Sequence, residues 1–289
     1  KEFYAAINKI CELVEFAYKQ DAMPIAVFKP TGFGRLALFE KKGSGNILTE
    51  VENAEWDRIV MRFDKVCQLG KERGVEILID AEESWMQDAA DELVEFMMKR
   101  YNTLKPIVYN TLQLYRWDRL DYLKQIHERA LKSGYKLGFK IVRGAYMEKE
   151  RERAEKYGYA SPICKNKEVT DTNFDQGLSY IIKNLSNISL FVGTHNEKSS
   201  YLTMKLMESM NIKKDDNRVW FGQLYGMSDH ISFNLASKGY NVAKYIPFGP
   251  VRDVMPYLIR RAEENTSVAG QTGRELSLLT KEKQRRKLQ

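Results

Sequence analysis

Short apolar runs alternate with longer amphipathic segments along most of this 289-residue chain. A short apolar run suits a strand buried on both faces, and apolar residues spaced three and four apart suit a helix. Regular alternation of the two is typical of βα units on a parallel sheet. The pattern predicts seven strands: Ile25–Lys29, Val75–Asp80, Ile107–Gln113, Leu137–Val142, Leu190–His195, Val219–Leu224 and Val242–Ile246.

Helical patterns separate these strands. They cover Ala54–Arg73, Met86–Arg100, Asp118–Ser133, Asn173–Leu185, Lys198–Asn211 and Ser228–Lys238. Seven such units fit a (β/α)8 barrel that lacks one strand, and a doubly wound open sheet is the structural alternative. The open sheet favours a glycine-rich phosphate loop after an early strand, but the turn Pro30–Gly34 lacks the dinucleotide fingerprint.

A first helix, predicted over Phe3–Lys19, precedes any strand. We therefore expect an α/β fold, a distorted (β/α)8 TIM-like barrel, whose first strand lies upstream of Lys1. The chain begins without Met and without a signal pattern, so we expect a piece of a longer protein. No composition shift marks a second domain. We expect one domain over residues 1–289, with an N-terminal helix in 1–24 and a basic tail in 266–289.

Composition excludes several classes of protein. No apolar run approaches the ~18 residues of a membrane-spanning helix. The three cysteines, Cys11, Cys67 and Cys164, lie far apart, which argues against a disulfide framework or a zinc site. The net charge is +7, and part of the excess lies in the tail Lys281–Lys287. That tail suits a solvated helix end or contact with an anionic membrane surface, and nucleic acid is a weaker option without interleaved aromatics.

Polar residues stand at the ends of the predicted strands. In a barrel these ends meet at one mouth, where active sites lie. A single polar strand end is more often a capping group than a catalyst, and an isolated histidine is more often structural than a ligand. A run of seven polar ends, however, implies that the mouth holds something, because an unpaired buried polar group costs about 1–3 kcal/mol. The ends are Lys29, Asp80, Gln113, Lys140, Thr194-His195-Asn196, Gln223 and Tyr245.

A cationic helix is predicted after the last strand, from Val251 to Asn265. Its Tyr257, Arg260, Arg261 and Glu264 are spaced three and four apart, so they share a broad face. Arginine grips a carboxylate with two parallel hydrogen bonds. The face suits capture of a small carboxylic acid, although a solvated surface with Arg–Glu pairs gives the same pattern.

Two further segments lie outside the predicted strands and helices. Lys41–Gly45 is predicted to be an exposed loop. Glu148–Asp171 is long, charged and only partly helical in pattern, so we expect a mobile flap over a site.

The motifs together resemble the proline dehydrogenase family of flavoenzymes, from about Ile25 to Asn265. The resemblance rests on their order in the chain. They are Phe28-Lys29-Pro30, Ile79-Asp80-Ala81-Glu82-Glu83, Val142-Arg143-Gly144-Ala145-Tyr146, Thr194-His195-Asn196, Gln223-Leu224-Tyr225-Gly226-Met227 and Tyr245 to Asn265. The resemblance implies a distorted barrel whose last helix lies across the mouth, and oxidation of L-proline to pyrroline-5-carboxylate by hydride transfer to FAD.

The resemblance also implies roles for individual residues. Asp80 and Lys140 are the expected catalytic groups, with Lys140 near the flavin. The substrate-binding set is Lys29, Leu224, Tyr245, Tyr257, Arg260, Arg261 and Glu264. The expected cofactor-binding set is Ala81, Gln113, Lys140, Arg143, Gly144, Ala145, Lys167, Thr194 and His195.

The family further implies a membrane quinone as electron acceptor, with no metal. The expected place is the cytoplasm or inner-membrane surface if the source is bacterial, and the mitochondrion if it is eukaryotic. Two other readings stay open: a Schiff-base lyase or aldolase with Lys29 or Lys140 as nucleophile, and a non-enzymatic basic scaffold.

The arginine pair yields the first prediction. Replacing Arg260 or Arg261 by Met removes one charge-assisted partner of the substrate carboxylate. We expect the proline KM to rise strongly with little change in flavin content, for a loss of roughly 2–4 kcal/mol, or about a hundredfold in kcat/KM. Steady-state kinetics on the purified variants measure this. A near-normal KM in either variant would place the helix away from the mouth.

Overall fold

The computed structural model describes residues 2–20, 22–247, 251, 254–255, 257–259 and 271–286. The chain forms two compact units, Lys1–Lys244 and Tyr245–Gln289. The single domain expected over residues 1–289 stays a prediction.

Seven parallel strands follow one another in chain order across one sheet. Each neighbouring pair is joined by a helical crossover, as the βα pattern predicted. In the first unit the register pairs Val27 with Leu78 and Gly138 with Ser189. The strands are β1 Ile25–Phe28, β2 Glu76–Ile79, β3 Val108–Gln113, β4 Leu137–Val142, β5 Ile188–Gly193, β6 Val219–Leu224 and β7 Val242–Tyr245. The predicted TIM-like α/β fold is confirmed.

The helices have clear start and stop signals in the sequence. Thr49 caps α3 with a full capping box, in which its side chain accepts from the Glu52 amide and Glu52 reaches back. Gly74 ends the same helix in the left-handed conformation, with φ of 69°. The described helices are α1 Glu2–Tyr18, α2 Leu36–Gly43, α3 Glu50–Arg73, α4 Ser84–Tyr101, α5 Arg119–Ser133, α6 Met147–Tyr157, α7 Lys167–Lys183, α8 Glu197–Ser209, α9 Asp229–Ser237 and α10 Gln271–Arg285. None of them is long and apolar enough to cross a membrane.

Several sequence assignments were wrong in detail, including those for α2, α7 and β5. Lys41 and Lys42 belong to α2 and not to an exposed loop. Helix α7 begins at Lys167 and not at Asn173, because the Asn166 side chain accepts from the Val169 amide at 2.9 Å and caps the helix six residues earlier. Strand β5 begins at Ile188 and not at Leu190.

The segment Glu148–Asp171 is more ordered than its pattern indicated. It contains most of α6 and the first turn of α7. The stretch between these helices is tied to the loop after β3, where the Cys164 amide donates to the Tyr115 carbonyl at 2.7 Å and the Trp117 amide to Pro162 at 3.1 Å. The segment is thus more helical than its pattern indicated, and its mobility as a flap stays a prediction.

Two apolar clusters stabilise the first unit. The larger lies between the sheet and the surrounding helices, where Phe28 stacks on Phe33 with ring centroids 4.4 Å apart and Phe63 of α3 meets both edge-on. The smaller consists of Leu78 of β2, Tyr109 of β3 and Phe191 of β5. Glycines make room for its two rings, since a Cβ at Gly138 would lie 2.5 Å from Tyr109 and one at Gly222 would lie 2.1 Å from Phe191. The sheet interior is therefore packed.

The polar contact below this smaller cluster involves a carboxyl group. The Tyr109 hydroxyl, itself fully buried, hydrogen-bonds to Glu76 and to Ser189. Burial raises the pKa of Glu76 to about 7, although the bond from Tyr109 and the nearby Lys105 lower it in part. Glu76 is thus protonated in the folded protein at pH values where it is ionised in the unfolded chain.

This raised pKa predicts a pH-dependent stability. Because the folded pKa lies above the unfolded value, stability should fall as pH rises from about 4.5 to about 7. Glu76→Gln keeps an acceptor for Tyr109 but cannot ionise, so it should gain about 1–3 kcal/mol relative to the parent at pH 8 and little at pH 4.5. Urea unfolding at both pH values measures the difference. Glu92→Gln, at an exposed site on α4, is the control, and an equal effect at both pH values would contradict the assignment.

Candidate active site

Three charged groups from separate strands meet at one edge of the sheet. Lys29 follows β1, Asp80 follows β2, and Lys140 lies within β4. The Asp80 carboxylate pairs with the Lys140 ammonium through one oxygen and lies 3.4 Å from the Lys29 ammonium through the other. Lys140 was expected at the end of its strand, but it stands two residues before the end. All three are brought together as the barrel arrangement predicted.

Burial makes this cluster electrostatically strong. Asp80 and Lys140 are each 7% exposed, whereas the Lys29 side chain is 40% exposed. Burial lowers the pKa of Lys140, and attraction to Asp80 opposes that shift only in part. For Lys29 burial also lowers the pKa, but the attraction of Asp80, Tyr146 and Glu82 outweighs it and the pKa is raised. Lys29 is therefore a permanent cation at the edge facing water.

A second layer of hydrogen bonds holds the turn after β2. The Glu82 carboxylate accepts from the Thr31 amide at 2.9 Å and from the Thr31 hydroxyl at 2.7 Å. Gln113, at the end of β3, donates to the Glu82 carbonyl at 2.8 Å. Its other side-chain atom, Oε1, is buried with no hydrogen-bond partner among the described residues. Such an orphaned acceptor beside Ala81 is a group that a bound ligand would satisfy.

Arg143 joins several polar groups at the neighbouring part of the edge by hydrogen bonds. Its guanidinium donates to Asp171 at 2.7 Å, to the Thr194 hydroxyl at 3.1 Å and to the Ser199 hydroxyl at 3.1 Å. Asp171 also binds Lys167 at 2.5 Å. The result is a polar strip with one partly buried arginine and one exposed lysine, which suits a phosphate group.

Gly144 and Ala145 form an exposed turn beside Arg143. Gly144 has φ of 141°, and a Cβ there would lie 2.4 Å from the Tyr115 ring. Only glycine fits this backbone, so the turn can approach a flat ligand closely. Further along the edge, His195 Nδ1 lies 2.9 Å from the Ser228 hydroxyl, and Leu224 ends β6.

Two of the predicted residues lie in the second unit. Tyr245 ends β7, and its ring lies 6.4 Å from the Tyr257 ring with only 25° between their planes. Arg260, Arg261 and Glu264 lie outside the described residues. The helix across the mouth therefore stays a prediction.

Two residues of this edge were not assigned roles from the sequence. Glu82 supplies the carboxylate that binds Thr31. Tyr146 is close enough to Lys29 to raise its pKa. Both belong to the motifs given above. Their positions two residues after Asp80 and two residues after Gly144 were the sequence features that could have identified them. No group of His, Cys, Asp or Glu in the described part of the chain has the arrangement of a metal site.

The buried pair gives a prediction about charge balance. Asp80→Asn leaves the Lys140 ammonium buried without its counter-ion, and we expect a loss of about 3–5 kcal/mol of stability. Adding Lys140→Met should recover most of that loss. Adding Lys29→Met should recover much less, because Lys29 is partly in contact with water. Urea unfolding of the three variants tests this, and equal recovery by both second changes would show that the two lysines share the charge equally.

Comparison with known proteins gives a consistent identification. The sequence model of the proline dehydrogenase family matches residues 4–274. The carbapenem antibiotics biosynthesis protein CarD of Pectobacterium carotovorum is 35% identical over 285 residues, covering 99% of this chain and 73% of CarD. Human proline dehydrogenase 1, mitochondrial, is 39% identical over 241 residues, covering 82% of this chain and 40% of the human protein.

The structure agrees with the sequence comparison. A crystal structure of proline utilization A from Bdellovibrio bacteriovorus, inactivated by N-propargylglycine, superposes with a TM-score of 0.81 at 25% identity. The match covers 93% of this chain and 29% of that protein. The resemblance inferred from the motifs is thus confirmed, and this chain belongs to the proline dehydrogenase family.

Proposed function

We propose that this chain is a flavin-dependent proline dehydrogenase that oxidises L-proline to pyrroline-5-carboxylate. The observation that carries the proposal is the Lys29–Asp80–Lys140 cluster at the strand ends of a proline dehydrogenase fold. The chain spans 73% of CarD and 40% of the human relative, so activity of the whole protein is part of this proposal.

The cluster suits recognition of an amino acid. Lys29 is held protonated by Asp80 and keeps part of its side chain exposed, so it can bind the substrate carboxylate without losing its counter-ion. Arg260 and Arg261 would complete the clamp. Several cations near the substrate also lower the proton affinity of its amine, which favours the neutral amine that releases hydride readily.

Stacked tyrosines suit the ring of the substrate. Tyr245 and Tyr257 present near-parallel faces, and the three ring methylenes of proline are apolar groups that can pack on such a face. Packing of this kind fixes the orientation of the ring. The free-energy cost of reaching the reactive orientation is a large part of the activation barrier in hydride transfer.

The residues present fit FAD. Gln113 offers a buried unsatisfied acceptor, Gly144 allows close approach of the backbone, and Arg143 with Lys167 offers charge for a pyrophosphate. Ala81, Thr194 and His195 border the same edge. Bound FAD would supply the two-electron acceptor for the reaction.

A membrane quinone would then receive the electrons. The human relative bears a mitochondrial name, which supports that place for a eukaryotic source.

A Schiff-base reaction is the second candidate, favoured by one observation. The lowered pKa of Lys140 is a property of nucleophilic lysines. Against it, Lys140 is buried in an ion pair with Asp80, and Lys29 has a raised pKa. Borohydride trapping of a substrate on Lys140 would support this candidate.

The deciding experiment uses the purified chain loaded with FAD. Under anaerobic conditions L-proline should bleach the flavin absorbance. Pyrrolidine, which lacks the carboxylate, should bleach it far more slowly because it cannot use the cationic clamp. N-propargylglycine should inactivate the protein irreversibly. A fully loaded sample that L-proline leaves oxidised would refute the proposal, and equal rates with pyrrolidine would refute the clamp.

A further inference from the structure

Glu150 is a fully buried carboxylate that the proposed chemistry does not use. It lies in the first turn of α6 and is 0% exposed. Its two oxygens accept from the backbone amide and from the hydroxyl of Ser84, each at 2.6 Å. A buried carboxylate is costly to maintain unless its hydrogen bonds are satisfied. The residue therefore belongs to a built contact between α6 and the start of α4.

Helix α4 lacks a cap of its own. Its N-cap residue, Glu83, makes no side-chain cap hydrogen bond. Glu83 instead forms an ion pair with Lys149 of α6. The first free amide of α4, at Ser84, is satisfied by Glu150 from 66 residues away in the chain. A negative charge at a helix N-terminus is also favourable for the helix dipole. The cap of α4 is thus supplied by α6.

The capped end of α4 directly follows the turn that holds Asp80. Gln87, in the first turn of α4, accepts from the Glu82 amide at 3.1 Å. The turn is therefore fixed to α4 on one side and to Gln113 of β3 on the other. Loss of the cap would let the first turn of α4 fray, and the residues after β2 would lose this support.

Glu150 is also joined to the turn after β4. Its backbone amide donates to the Tyr146 carbonyl at 2.9 Å. Burial raises the pKa of Tyr115, and the Glu150 charge raises it further, so the carboxylate lies close to this ring. The Tyr115 ring packs beneath Gly144. Glu150 therefore contacts the start of α4, after the Asp80 turn, through its carboxylate, and the Gly144–Tyr146 turn through its backbone amide.

Other contacts fasten the same helix. The Arg153 guanidinium lies 4.2 Å from the Trp85 ring centre and 4.8 Å from that of Tyr157, and it pairs with Glu40 of α2. These contacts dock α6 on the outside of α2 and α4. They do not reach the Ser84 amide, so they cannot replace the Glu150 cap.

We propose that Glu150 is a positioning residue, which sets the relative placement of the β2 and β4 turns and thereby the Asp80–Lys29 site for the substrate carboxylate. The proposal rests on the proposed function, since it assigns Glu150 a part in proline recognition. It differs from a purely structural cap in one respect: its loss should change substrate binding and local order more than global stability.

The test uses the full chain with FAD and compares four variants. Glu150→Ala removes both acceptors. Glu150→Gln keeps an acceptor for the Ser84 amide and an amide group for its hydroxyl. Ser84→Ala removes one of the two bonds. Glu152→Ala, at an exposed position of the same helix, is the matched control. Kinetics are normalised to flavin content, and amide hydrogen exchange is measured without flavin.

We expect Glu150→Ala to raise the proline KM by roughly tenfold to a hundredfold with a smaller fall in kcat, the usual scale for a misplaced binding group. Ser84→Ala should raise it a few-fold, Glu150→Gln should recover most of the loss, and Glu152→Ala should match the parent. Exchange at residues 80–84 should speed up in Glu150→Ala and not in Glu152→Ala.

Several outcomes would overturn the positioning role. One is a normal KM with unchanged exchange at residues 80–84 in Glu150→Ala. Another is a lower thermal midpoint with normal KM, which would leave only a structural cap. If Glu150→Ala does not fold, an unchanged KM in Ser84→Ala would count against the proposal. A parent protein that proline cannot reduce would refute the proposed function instead, and the exchange measurements would still decide whether Glu150 orders the turn.

Discussion

The Asp80 carboxylate, buried between two lysine ammonium groups, is the interaction on which the site depends. It pairs with Lys140 within β4 and with Lys29 after β1, so it fixes three strands at their carboxyl ends. A lone buried charge would be too costly to keep, and without the carboxylate the buried Lys140 would have only the like charge of Lys29 beside it among these three groups. The asymmetry of the cluster matters for function. Lys140 is fully enclosed, whereas Lys29 faces water and can meet a substrate anion.

The packed interior of the sheet explains why this chemistry lies at one end. Tyr109 and Phe191 fill the space between the strands, each against a glycine of a neighbouring strand. Polar side chains are thereby confined to the edges, where Asp80, Gln113 and Thr194 can be satisfied or can meet a ligand. The opposite region holds Glu76, whose raised pKa shows the cost of placing a carboxyl group beside buried rings.

Helix α6 contacts the helices beside the site and supports the turns at this edge of the sheet. Glu150, Lys149 and Arg153 contact α4 and α2, and Glu150 supplies the hydrogen bond that the start of α4 lacks. The turns after β2 and β4 are far apart in the sequence, yet Glu150 contacts the start of α4 through its carboxylate and the β4 turn through its backbone amide. A site assembled from loops needs such connections, because strand pairing fixes the strand ends but not the turns that follow them.

The sequence by itself determined the strand order, the fold class and the motifs of the site. Strands buried on both faces give short apolar runs and helices give a 3.6-residue period, so both can be recognised from the local sequence. It predicted that Lys29, Asp80 and Lys140 lie at one mouth, since parallel strands bring their carboxyl ends together, but not that they form ion pairs. It did not predict α2, the early start of α7 or the docking of α6. Helix caps and ion pairs determine where these helices begin and what they pack against. The cap from Glu150 to Ser84 and the orphaned acceptor of Gln113 were decided only by the tertiary structure. Such contacts join residues distant in the chain, and their energies depend on burial, which local composition does not encode.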